Sequence, residues 1–243
     1  MSKLLNYLLF ALISINFCHS QTVSGEIDYK VLTKYQPTNE KMNTPVLKMV
    51  MKTLKSNLEK EYRLEFNFTE SLYIEVEKLS SIDSPGNTSS GYERLYKDIE
   101  NKIYRKQSEF LGKRFLIKDS LQKFNWQLQS ETKEIMGYTC RKAVTTQAIV
   151  GKDLVTKAEE IEITGWFCID IPISNGPMDF WGLPGIILEI NTEAYDILCS
   201  SININFDEER LIKIPNKGES ISQKEYDNTV KEKLEEIKSK FKS

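Results

Sequence analysis

Histidine is nearly missing from this chain of 243 residues: there is one, His19. It sits in the N-terminal stretch that is expected to be removed on export, so the processed protein has none. Without an imidazole base, Ser-His-Asp and Cys-His catalysis are excluded. Nearly every kind of catalytic zinc site is excluded by the same shortage, because such sites draw on histidine ligands. Cysteine is also sparse. Beyond Cys18 there remain Cys140, Cys168 and Cys199, and no two of them form a C-x-x-C pair. A thiolate metal cluster is not expected. A single disulfide with one leftover thiol and three small buried hydrophobes are both open readings, and the pairing does not follow from spacing. Basic excess is lacking too, with 33 Lys and Arg against 35 Asp and Glu. That speaks against nucleic acid as a partner. No phosphate loop or dinucleotide fingerprint occurs, and no cofactor is expected.

Only one long apolar run is present. Lys3 precedes Leu4–Ile15, which is free of charge and too short to cross a bilayer, a span that takes about 20 residues. Charge, apolar run and a small residue at the cut make a secretory signal peptide, 1–20, with cleavage after Ser20. Two alternatives are a lipid-bearing Cys18, disfavoured by Phe17 before it, and an uncut anchor. The expected product, 21–243, is one β-rich domain without a transmembrane segment. It would be periplasmic, associated with the outer membrane, or secreted.

The fold class expected is α+β, mostly β: a curved antiparallel sheet or half-barrel with a helix from the N-terminal half and a C-terminal helix packed on it. Val23–Val31 alternates apolar and polar residues, the period of a half-buried strand. Thr44-Pro45 caps a helical spacing at Val46, Leu47, Val50, Leu54 and Leu58. Alternation returns in Tyr62–Phe68 and Leu72–Val76, which read as a hairpin. Residues 80–91 read as a loop. Strands are expected around Lys102–Phe110, Lys113–Ile117 and Phe124–Leu128, while Tyr92–Ile99 reads equally as strand or helix. Tyr138–Val150 with Glu160–Ile171, and Gly185–Thr192 with Tyr195–Phe206, read as two further hairpins. Ser222-Gln223-Lys224-Glu225 is a capping box. It opens a helix whose apolar stripe is Tyr226, Val230, Leu234, Ile237 and Phe241. That helix either docks on the sheet or serves as a partner-binding tail.

Between the last two hairpins, Ile171–Ile190 holds three prolines and three glycines. Leu183-Pro184-Gly185-Ile186 fits a type II turn, with proline fixing φ and glycine accepting the positive φ after it. The segment is read either as a rigid corner or as the aromatic rim of a pocket. In the second reading Trp166, Met178, Phe180 and Trp181 hold an apolar ligand beside Gly182, Leu183, Pro184 and Gly185.

Gly182-Leu183-Pro184-Gly185-Ile186-Ile187 resembles the signature of the GLPGLI family. Met136–Ala143 is similar to that family's Gly-Tyr-x-Cys-x-Lys-Ala element, and Gly165–Pro172 to its Trp-containing strand ending in Ile-Pro. Ser174–Pro177 fits its Gly-Pro turn. The sequence departs at Cys168, where the family has Thr or another residue, and in the loop Gly151–Ala158, which lacks a Gly-Arg element. The resemblance implies an envelope or secreted protein of a Gram-negative lineage with no assigned catalytic residues. It also implies a possible partner, a TonB-dependent outer-membrane receptor. A half-barrel carrier is a further likeness at the level of fold alone. The expectation is therefore a non-enzymatic binder of an apolar ligand or lipid. The alternatives are a receptor-interaction module and a hydrolase built on carboxylates such as Glu160 and Glu162. Asn67-Phe68-Thr69 and Asn87-Thr88-Ser89 match the glycosylation pattern, which is without consequence in such a lineage.

Overall fold

The computed structural model describes residues 23–34, 60–76, 94–149, 159–206 and 210–240. The expected signal peptide, the helix over 44–58, and the loops at 80–91 and 151–158 lie outside the described residues. Within them the chain forms twelve strands and one helix. The strands are β1 (Val23–Thr33), β2 (Lys60–Phe66), β3 (Glu70–Glu75), β4 (Arg94–Asp98), β5 (Ile103–Phe110), β6 (Lys113–Ser120), β7 (Gln127–Ile135), β8 (Tyr138–Ile149), β9 (Glu159–Cys168), β10 (Ile186–Asn191), β11 (Tyr195–Phe206) and β12 (Glu219–Ile221). The helix is α1, Gln223–Lys240.

All twelve strands join one open sheet in the order β12-β6-β5-β4-β3-β2-β1-β11-β10-β9-β8-β7. Neighbours are antiparallel except β12, which pairs with β6 in parallel through Glu219–Ile221. Six of the strands form a run of consecutive hairpins, β1 to β6 with β1 pairing β2, and four more form a second run, β7 to β10. β11 returns to close the gap by lying against β1, from Val23↔Phe206 to Thr33↔Tyr195. The segment 92–99, ambiguous in sequence, is a strand over Arg94–Asp98. Tyr96 decides this: it turns away from Leu95 to join Leu72 and Ile212 in a small cluster, while Leu95 enters the main core. Alternate residues therefore serve opposite faces, which a helix cannot arrange.

The main core runs from Leu95 on β4 through Ile27, Tyr29 and Leu64 to Ile163 and Phe167 on β9. Segment 169–185 is the corner between β9 and β10. Within it Gly176 by itself touches two distant strands, its carbonyl taking a hydrogen bond from Lys97 of β4 and its Cα lying against Ile187 of β10. Those strands stand five places apart in the sheet, about 24 Å if it were flat. One residue and one lysine side chain cannot bridge that distance, so the sheet curls around the corner. Ile171, Ile173, Phe180 and Leu183 of the corner are all buried.

The capping box of α1 forms as its sequence predicts. Ser222 N–H and Oγ–H donate to Glu225 Oε2 at 2.9 and 2.7 Å, and Glu225 N–H donates to Ser222 Oγ at 3.3 Å. The first turn docks on the sheet, with the Tyr226 ring edge-on to Phe115 at 5.3 Å and its hydroxyl 3.1 Å from Ser108 Oγ. Further along the apolar stripe, Leu234 is exposed while Val230 and Ile237 are half-buried. Replacing Ser222 by alanine is expected to cost about 1 kcal/mol, read as a lower urea midpoint with loss of helical circular dichroism.

Candidate functional site

Local sequence explains how the corner is held. Tight i to i+2 hydrogen bonds, Ile173 N–H to Ile171 O and Asn175 N–H to Ile173 O, both 2.8 Å, fold its entry. β10 then pairs with that entry: Ile186 N–H donates to Ile171 O at 3.0 Å and Ile187 N–H to Asn175 O at 2.9 Å. From β1, Tyr29 Oη–H donates to Ile187 O at 2.7 Å. From β4, Lys97 Nζ donates to Gly176 O at 2.7 Å and Phe180 O at 3.1 Å. Lys97 is fully buried, and that burial pushes its pKa down to about 7 against the opposing pull of the Asp179 carboxylate.

The aromatic residues do not act as one set. Phe180 is in the core, 5.3 Å from the Phe124 ring and 6.5 Å from Trp126. Trp126 lies over Gly165, where an added Cβ would meet its ring at 3.2 Å, and its indole N–H donates to Trp181 O at 2.9 Å. Trp181 in turn donates to Gln122 O at 2.6 Å. Trp166 follows Gly165 and so points to the opposite face of β9. There Lys133 Nζ sits 4.3 Å over its ring and pairs with Glu189 at 2.7 Å. Met178 is half-buried against the core with φ of 49°. Leu183 is buried, whereas Gly182 and Pro184 are exposed.

The expected type II turn is corrected by the structure. Gly185 does not carry the positive φ such a turn needs; Gly182 does, at 96°. Gly185 is required for space instead, because a Cβ there would lie 2.0 Å from the Cys168 carbonyl oxygen.

Among the described residues a cleft of about 360 Å³ opens between the corner and the start of α1. Leu95 and Leu121 give it an apolar wall, and Tyr104, Lys106, Asp119 and Asp179 give it polar ones. Register places these groups: Leu95 stands opposite Lys106, and Tyr104 opposite both Lys97 and Asp119. Gln223, the first residue of α1, accepts from Tyr104 Oη at 2.9 Å and Lys106 Nζ at 2.8 Å through Oε1. Burial lowers the Lys106 pKa, with Asp227 and Asp179 acting against it. Both Asp119 oxygens are engaged by backbone, taking N–H of Ser120 at 2.8 Å and of Gln223 at 3.2 Å. The carboxylates singled out in sequence, Glu160 and Glu162, are exposed on β9. Among the described residues no group of three or more His, Cys, Asp or Glu is placed to hold a metal ion. No helix among them is long and apolar enough to cross a membrane.

Sequence reading missed this cleft, since its walls come from β4, β5, the end of β6, the corner and α1.

The stretch that forms the corner lies within the part of the chain that one family model matches. Residues 152–189 match a family model described as a protein of unknown function, Porph_ging. The matched residues run through β9 and the corner into β10. No curated protein matches the chain. Among solved structures, the fold is similar to that in "Structure of PNGF-II in P21 space group", with a TM-score of 0.54 at 16% identity. A second crystal form of PNGF-II, in space group C2, gives a TM-score of 0.52 at the same identity. Each comparison covers 86% of this chain and 32% of the other. The fold here thus spans about a third of the PNGF-II chain.

Proposed function

We propose that this protein is exported to the cell envelope and works there as a non-enzymatic binding protein, with its ligand in the cleft between the corner and α1. The cleft itself carries this reading. It falls within the size range of small-molecule sites and joins an apolar wall to a few polar groups. The corner itself packs Ile171, Ile173, Phe180 and Leu183 into the core. The ligand that suits the cleft is amphipathic: an apolar body against Leu95 and Leu121, and a polar head near Lys106 and Asp179. A binding role rather than hydrolysis is favoured because the carboxylates singled out for catalysis, Glu160 and Glu162, are exposed on β9 and lie outside the cleft. The leader-like N-terminus and the likeness of Gly182–Ile187 to the GLPGLI signature support the envelope location.

The test is native mass spectrometry of protein extracted from the envelope fraction. The wild type is expected to carry a small-molecule adduct. Lys106→Met, which keeps the buried stem and removes the charged head, is expected to lose about nine-tenths of it at unchanged circular dichroism, a loss of more than 1 kcal/mol in binding. A wild type without adduct, or an adduct indifferent to Lys106→Met, would overturn the reading.

A further inference from the structure

Cys140 and Cys168 were inseparable from Cys199 by spacing, and the strand register separates them. Cys140 on β8 stands directly opposite Cys168 on β9. The pairing of these two strands runs without a shift from Cys140↔Cys168 to Ile149↔Glu159. Directly opposed residues on antiparallel strands have side chains on one face and Cα atoms about 4.5–5.5 Å apart. That falls inside the roughly 4.4–6.8 Å that a disulfide spans. The row continues to Lys133 on β7 and Ile186 on β10, so the two cysteines sit inside the sheet and not at its rim. Both side chains are fully buried, as thiols. Cys199 lies elsewhere in the sheet, on β11 opposite Tyr29, half-buried, with its Sγ–H donating to Ser201 O at 3.6 Å.

We propose that Cys140 and Cys168 form a cross-strand disulfide in the exported protein, with Cys199 left as the free thiol. The inference depends on the export reading for its oxidising compartment, but the choice of partners depends on register alone. The bond pins β8 to β9 at the end of the pair where the corner begins, since the Cys168 carbonyl is the group that Gly185 packs against.

The chemistry is disulfide exchange. The thiolate of one cysteine attacks an oxidised disulfide, either of a small thiol or of a dithiol oxidoreductase. This forms a mixed disulfide and releases one sulfur of the oxidant as thiolate. The second cysteine, deprotonated, attacks the mixed disulfide at the first sulfur. The S–S bond of the protein forms, the oxidant leaves fully reduced, and two protons pass to solvent or to the oxidant's thiolates. Thiolate is the reacting species. In the folded protein burial pushes the Cys140 thiol up to about 12 and raises that of Cys168. Exchange therefore takes place while the chain folds, before β8 and β9 close, and the finished bond is shielded from reductants.

Refolding the full chain from guanidinium in a mixture of reduced and oxidised glutathione tests the pairing. Acid quenching, alkylation and peptide mapping then read it out. The expected result is a linked pair of peptides carrying Cys140 and Cys168, with Cys199 alkylated and Cys18 read in its own peptide. Cys199→Ser is expected to keep the link. Reducing the bond is expected to lower the thermal midpoint by about 10 °C, as cutting a cross-link across a loop of that length does. A link from Cys199 to either cysteine, or alkylation of Cys140 and Cys168 as well as Cys199 after refolding, would overturn the proposal. Export is read separately, by whether protein from the envelope fraction begins at Gln21. Cytoplasmic retention with a Cys140–Cys168 link in vitro would defeat the export reading while leaving the pairing intact.

Discussion

Replacing Gly185 by alanine is expected to destabilise the protein by about 3 kcal/mol or more, while the same change at Gly182 costs about 1–2 kcal/mol. The two glycines belong to the same hexapeptide and fail for different reasons. At Gly185 the new methyl group would stand 2.0 Å from the Cys168 carbonyl oxygen and 2.6 Å from its carbon, with the Ile169 Cα at 3.0 Å. All three are backbone atoms, so relief requires moving the end of β9 or the start of β10. Moving either disturbs the hydrogen bond from Ile186 N–H to Ile171 O and the burial of Ile171 and Ile173. At Gly182 the methyl group meets nothing closer than the Trp126 ring at 3.8 Å, and the cost is only that of φ at 96° for a residue with a Cβ. Urea titrations of the two variants decide the matter. Equal losses, or a larger loss at Gly182, would mean that the hexapeptide is held by turn conformation and not by close contact. A 3 kcal/mol loss is a large share of the 5–15 kcal/mol that holds most domains together.

This pair of glycines also marks how far sequence can be read. Alternation found most of the strands between Val23 and Phe206, but it left β4 undecided and placed a strand at Phe124–Leu128 where β7 runs from Gln127 to Ile135. It paired β8 with β9 and β10 with β11, because short connections join sequential strands. The capping box placed the start of α1 correctly, since a cap is built from four consecutive residues. What alternation could not supply was long-range placement. Nothing local tells that β11 lies against β1, or that β12 pairs in parallel with β6. The cleft was hidden for the same reason: Lys106, Asp179 and Gln223 lie far apart in sequence and meet only when the sheet curls. Leu-Pro-Gly-Ile matched the residue preferences of a type II turn, yet the deciding contact, with the carbonyl of Cys168, is tertiary. Trp166 and Phe180 looked like one aromatic group by proximity to the corner. Strand parity sends Trp166 to the other face.

The stability of the protein is expected to rise by about 2 kcal/mol between pH 7 and pH 9 on account of Lys97 alone, and Lys97→Met is expected to remove that rise. The folded pKa of Lys97, about 7, lies below the ordinary lysine value of 10.5 because the side chain is buried. Between those two values the unfolded chain holds a proton that the folded protein has released. The unfolded state therefore binds more protons across this window, and stability climbs with pH. Below pH 7 both states carry the proton and the full burial cost is felt. The geometry agrees with a neutral amine, which has two N–H groups, and Nζ makes two hydrogen bonds, to Gly176 O and Phe180 O. Asp179 opposes the shift, and Lys106, whose pKa is also lowered by burial, contributes a slope of the same sign that survives in Lys97→Met. Above pH 9 the balance reverses for the thiols. Burial raises Cys140 and Cys199 to about 12, so in the reduced protein the unfolded chain loses those protons first and stability falls. The measurement is therefore the difference between the urea stabilities of wild type and Lys97→Met at pH 7 and pH 9. A difference that stays constant across that range would show that Lys97 keeps its charge in the folded protein. The corner would then be fastened to β4 by an ammonium ion, with Asp179 as its counter-charge, and not by an uncharged amine shared between two carbonyls.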